Sequence, residues 1–161
     1  MRGREVTFRP ITPGDTEFLY AVYASTRQEE LAVVDWSESD KDAFLRAQFT
    51  AQHQAYQGSY PGADFLVVLE DARPIGRLYL ERRDGEIRII DIALLPEHRN
   101  AGIGGAVLRD VLAEGARDGK RVSIHVEMFN PALSLYQRLG FQQREVRGVY
   151  YFMEWVPERS T

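Results

Sequence analysis

Cysteine is absent from the 161 residues, and its absence excludes disulfides, thiolate metal sites, a cysteine nucleophile and any thioester intermediate carried on the protein. A cytoplasmic setting is the simplest expectation. Long apolar runs are missing as well: no stretch approaches membrane-spanning length, and Met1-Arg2-Gly3-Arg4-Glu5 leads into no apolar signal core. The expectation is a protein neither exported nor embedded. Basic charge is not in excess, because 20 Lys and Arg against 24 Asp and Glu leave a formal net charge of −4, so a broad attraction to nucleic acid is not expected. The histidines and acids lack ligand spacing, and no metal is expected. Repeats, low-complexity tracts and linkers are also lacking.

What is present is a globular composition, 44% hydrophobic and 27% charged, in a chain long enough for one substantial core. One domain over residues 1–161 is expected, with a folded core at 6–156 and a polar tail at 157–161. Val6 to Pro10 alternates as a first strand. Thr12-Pro13-Gly14-Asp15 supplies turn and cap chemistry before a helix with Phe18, Leu19, Val22 and Tyr23 on one stripe. Gln28 to Asp40 suits a loop or broken helix, and Ser39-Asp40 can cap a second helix running to about Gly58. Turns at 59–62, 71–74 and 83–85 then separate strands at 65–70, 75–82 and 87–95, an antiparallel meander. A strand at 122–128, a short helix at 133–139 and strands at 141–146 and 149–155 complete the chain.

The stretch Ile87 to Leu112 carries the chemistry. An aliphatic, β-branched run ends at Pro96, Arg99-Asn100-Ala101-Gly102-Ile103-Gly104 follows, and Ala106, Val107, Leu108, Val111 and Leu112 then recur at helical spacing. Strand, glycine turn and helix in that order leave main-chain N–H groups open at a helix N-terminus, where the dipole favours an anion such as phosphate. A dinucleotide fingerprint fits poorly, since its third glycine falls at Val107. The P-loop pattern fails because no Gly-Lys-Ser/Thr follows.

Arg-x-x-Gly-x-Gly after Ala93-Leu94-Leu95-Pro96 resembles the acyl-CoA signature of the GNAT superfamily of N-acyltransferases. Asn130-Pro131-Ala132 with Leu135-Tyr136-Gln137-Arg138-Leu139-Gly140-Phe141 is similar to that superfamily's second cofactor segment. Two motifs in the right order are far more specific than either alone. The resemblance implies an α/β fold: a central, mostly antiparallel sheet of about seven strands splayed between the fourth and fifth, with helices on both faces. It implies an N-acetyltransferase that moves an acetyl group from acetyl-CoA to a primary amine by direct attack. The alternative is a noncatalytic acyl-CoA-binding sensor or regulatory module.

Under that resemblance Arg99, Asn100, Ala101, Gly102, Ile103 and Gly104 take the pyrophosphate. Backbone groups of Ile92, Ala93 and Leu94 meet the pantetheine arm, and Asn130 is a polar anchor near it, although an Asn before Pro is also a turn former. The Tyr136 hydroxyl stands as general acid for the departing thiolate, against the plainer reading of a core aromatic. For the base, Glu86, His125 and Asp91 compete; their ordinary alternatives are a solvated turn, a hydrogen-bonded sheet histidine and an arginine partner. The acceptor is a small-molecule or peptide amine. Glu29, Glu30, Asp35 and Glu38 are positioned in sequence to attract it if they are not merely solvated. Neither nucleic acid nor membrane is an expected partner, and homodimerisation through the last strands or a sheet edge stays open.

Overall fold

The computed structural model describes residues 5–99 and 101–158. Its fold is mixed α/β. Seven strands form one sheet: β1 (Val6–Pro10), β2 (Asp64–Glu70), β3 (Arg73–Arg83), β4 (Glu86–Leu94), β5 (Arg121–Glu127), β6 (Gln142–Arg147) and β7 (Tyr150–Trp155), in the order β1-β2-β3-β4-β5-β7-β6. The sheet is mostly antiparallel, with β4 and β5 as its parallel pair. By their contacts the described residues group into two compact units, 5–78 with Ile92–Arg99 and Tyr79–Asp91 with 101–158.

In the first unit β1 runs antiparallel to β2, from Val6 opposite Glu70 to Pro10 opposite Leu66. Three helices follow β1: α1 (Thr16–Ser25), α2 (Gln28–Ala32) and α3 (Glu38–Ser59). The segment expected to be a loop or broken helix contains the single turn-and-a-half of α2, whose Leu31 is buried. The α3 cap is Ser37, two residues before the expected one, because its side chain reaches the Asp40 N–H at 3.1 Å. Leu19, Tyr20 and Tyr23 of α1 pack with Leu31, Leu45 and Phe49 into one apolar cluster. Buried side chains of this size contribute about 2 kcal/mol each.

In the second unit α4 (Ile103–Asp118) buries Val107, Leu108, Val111 and Leu112, the stripe its sequence spacing predicts. Gly115 is the point of close approach, where a Cβ would press on Val122 and Trp155. Ile87 and Ile89 of β4, Val122, Ile124 and Val126 of β5, and Met153 of β7 are buried on the same side of the strands. β5 pairs with β7, and β6 lies at the sheet edge, exposed along its whole length and bulged between Gln143 and Glu145. The short α5 (Leu133–Arg138) lies between β5 and β6 in sequence. The parallel register joins Glu86–Ile89 to Arg121–Ile124, and among the described residues it extends no further, although β4 runs on to Leu94 and β5 to Glu127.

Candidate active site

The junction behind β4 is held tightly on the strand side. The Leu95 N–H donates to the Ile75 carbonyl oxygen at 2.8 Å. One residue on in β3, a Cβ on Gly76 would collide with the Ala93 carbonyl oxygen and the Leu94 side chain, so only glycine allows this approach of the two backbones. A 3-10 turn, Pro96–His98, follows. Arg99 then turns its guanidinium back, Nε donating to the Leu94 carbonyl oxygen at 2.9 Å and Nη2 to Ser25 Oγ at 3.0 Å.

On the helix side Gly102 has a φ of +82°, a left-handed conformation that suits a residue without Cβ. The Ala106 N–H donates to the Gly102 carbonyl oxygen at 3.0 Å as α4 begins. The earlier N–H groups, those of Ile103, Gly104 and Gly105, lie ahead of that bond. No side chain among the described residues caps this end, and the first turn holds no acid. Ala101 and Gly102 are exposed, Gly104 is half-buried and Ile103 is buried. Asn100 lies outside the described residues. An anion meeting this bend finds main-chain donors and the positive end of a 16-residue helix.

Tyr136 lies on α5, buried, with its ring edge-on to Phe141 at 5.7 Å. Burial raises its pKa above the ordinary 10.0, and the charge of Asp91 adds to the effect. Its hydroxyl therefore keeps its proton throughout the neutral range. Asn130 is exposed, and its Oδ1 accepts from the Ala132 N–H at 2.8 Å, the bond of a turn former ahead of α5.

Glu86 and His125 fall on one face of the second unit's strands, because cross-strand partners share a face: Arg88 opposite Ser123, and His125 opposite Phe152. Glu86 is engaged there. It accepts a short hydrogen bond from the fully buried Ser123 hydroxyl and pairs with Arg88 at 3.0 Å and Arg83 at 3.7 Å. Burial alone would raise its pKa, but Ser123, Arg88 and Arg83 together outweigh burial and lower it. His125 is half-buried, its ring 5.0 Å from that of Phe152, with Arg147 Nη1 3.0 Å from its Nε2. Burial lowers its pKa below 6.5, and the cationic Arg88 and Arg147 lower it further, against the opposite pull of Glu145 and Glu86. The imidazole is neutral at pH 7.

The structure thus brings Glu86 and His125 together on one face, and couples Tyr136 electrically to Asp91. Arg88, Ser123, Phe152 and Arg147 complete the Glu86–His125 cluster, although none was singled out from sequence. The alternation of Val122 to Met128 already carried Ser123 and His125 on one face; the Arg88 partner depended on the parallel register.

A model of the acetyltransferase (GNAT) family matches residues 23–141. The chain belongs to that family. The GNAT match includes the whole junction and the Tyr136 segment. A Bacillus subtilis protein proposed to be a ribosomal protein bS18-alanine N-acetyltransferase is 30% identical over 93 residues, covering 56% of this chain and 62% of that one. A mycothiol acetyltransferase of Nocardiopsis dassonvillei is 36% identical over 74 residues, covering 46% of this chain and 22% of its relative. The chain therefore matches under two thirds of the first relative and about a fifth of the second. The fold is also that of a PaiA N-acetyltransferase from Thermoplasma acidophilum solved in complex with coenzyme A, with a TM-score of 0.71 at 20% identity, over 94% of this chain and 99% of that one. Among the described residues no helix is long and apolar enough to cross a membrane.

Proposed function

We propose that this GNAT-family protein is an N-acetyltransferase that moves an acetyl group from acetyl-CoA to a primary amine. The observation that carries the reading is the N-terminus of α4: donors without a side-chain cap, behind a left-handed glycine, in a family whose relatives are acetyltransferases. On this reading the segment of Arg99, Asn100, Ala101, Gly102, Ile103 and Gly104 receives the pyrophosphate. The main chain of Ile92, Ala93 and Leu94 runs beside the pantetheine arm, strand-like, as a peptide would at an open sheet edge.

The amine nitrogen attacks the thioester carbonyl. The N–C bond forms, the carbonyl oxygen becomes an oxyanion met by a main-chain N–H of β4, and the C–S bond then breaks with the electron pair leaving on sulfur. Tyr136 gives its hydroxyl proton to that sulfur. Burial and Asp91 raise its pKa and make it a weaker acid than a free phenol, so the role rests on its place in the second motif and on the basicity of the departing thiolate. The attacking amine must lose a proton, because a lysine-like amine has a pKa of about 10.4. On this reading His125 takes that proton, its imidazole being neutral. Its Nε2 accepts from Arg147 at 3.0 Å and that one contact must be released, whereas Glu86 is held by Ser123, Arg88 and Arg83 together. Asn130 shapes the turn into the Tyr136 helix.

The test is thiol release from acetyl-CoA across a panel of amines: protein N-termini, lysine, polyamines, amino acids and aminoglycosides. Turnover with one class supports the reading and names the acceptor. Binding of acetyl-CoA with no thiol release from any amine supports the sensor instead. No affinity for CoA or its acyl forms at millimolar concentration overturns both.

A further inference from the structure

Ser25 is the last residue of α1, buried and polar, and neither cofactor motif includes it. Its hydroxyl hydrogen goes to the Val22 carbonyl oxygen at 2.7 Å. That leaves its lone pairs, and one of them accepts Arg99 Nη2 at 3.0 Å, from a residue 74 positions away. The same guanidinium gives Nε–H to the Leu94 carbonyl oxygen at 2.9 Å. One planar cation therefore ties the end of β4 to the end of α1, through donors whose directions the fork geometry fixes.

From this geometry we infer that Ser25 is a positioning residue for cofactor binding, acting through Arg99. The inference rests on the acyl-CoA reading and deepens it. Arg99 works as a strut between Leu94 and Ser25, holding the turn that delivers the chain into the phosphate-binding bend. Main-chain donors that must converge on a diphosphate bind it better the less freedom they lose on binding. A guanidinium that left to sit on the phosphates would give up both bonds and strip a buried hydroxyl of its donor, a costly exchange.

The experiment measures coenzyme A affinity by calorimetry for wild type, Ser25→Ala, Arg99→Ala, Arg99→Lys and the Ser25→Ala/Arg99→Ala double variant, each below its own melting temperature. Ser25→Ala is expected to weaken binding about 3- to 10-fold and Arg99→Ala about 10- to 100-fold. The double variant should be no weaker than Arg99→Ala alone, because the two residues act as one unit. Arg99→Lys should stay close to Arg99→Ala, since one ammonium does not span the carbonyl and the hydroxyl in that geometry. KM for acetyl-CoA should rise in Ser25→Ala with kcat at saturation changed less than about 2-fold. Additive losses, unchanged or tighter binding in Ser25→Ala, or affinity restored by lysine would each overturn the strut. Wild-type protein that ignores coenzyme A overturns the acyl-CoA reading itself, whereas wild type that binds it no better than Ser25→Ala overturns the strut alone.

Discussion

Two helices of this protein begin in opposite ways. α3 starts at Ser37, whose hydroxyl accepts from the Asp40 N–H, and its first turn carries Glu38 and Asp40. That end satisfies itself and repels anions. α4 starts at Gly102, with no side-chain cap among the described residues and no acid in its first turn. The leading N–H groups of a helix take their partners from side chains, water or ligands, and on the proposed reading those of α4 take a phosphate. On the proposed function the first start is structural and the second is where the cofactor's phosphates go.

Giving α4 the kind of start that α3 has should abolish the difference. Gly104→Asp puts a carboxylate into the first turn, as Glu38 and Asp40 stand in α3, and displacing the phosphates from about two charge-assisted hydrogen bonds of about 1.5–3 kcal/mol each should weaken coenzyme A binding about 1000-fold, read by calorimetry. Retained affinity would show that those donors do not hold the phosphates. Tyr136→Phe sharpens the contrast from the chemical side: kcat should fall about 100-fold while coenzyme A affinity holds, and unchanged kcat would remove Tyr136 from the proton transfer. Removing the α3 cap with Ser37→Ala should cost about 1 kcal/mol of stability in urea denaturation and leave cofactor affinity alone.

The smallest effect is a pH slope. His125 has a folded-state pKa below its ordinary 6.5, mainly through burial, then Arg88 and Arg147. Protonating it is therefore harder in the folded protein than in the unfolded chain. Its contribution is intact above pH 6.5 and is lost as pH falls from 6.5 through the folded value. In His125→Gln that part of the stability slope should vanish, and a slope identical to wild type would place the titration elsewhere.

Local signals carried the α4 start into the sequence: Pro96, two glycines and a helical stripe sit within one short segment, as does the Tyr136 motif. The α3 cap lies at Ser37 and not at Ser39 because the two serines offer the same hydroxyl chemistry and only the folded backbone decides which one reaches an N–H. The fate of the Arg99 side chain was hidden for a different reason. Its partner Ser25 is distant in sequence, and no periodicity reports a hydrogen bond between separate elements. Gly76 carries no signal in the sequence, because a glycine within a strand reads as a weak link and its close neighbour, the Ala93 carbonyl oxygen, belongs to another strand. The Glu86–Ser123 bond was likewise invisible, since it exists only in the parallel register of β4 with β5.

The interior place of β7 bears on how the chain is made. It leaves the ribosome after β5 and β6, yet it is inserted between them, so β6 has no neighbour and β5 an open edge until translation has passed Trp155. A nascent chain arrested earlier presents the Val122–Val126 edge bare, where chaperones and aggregates compete for it.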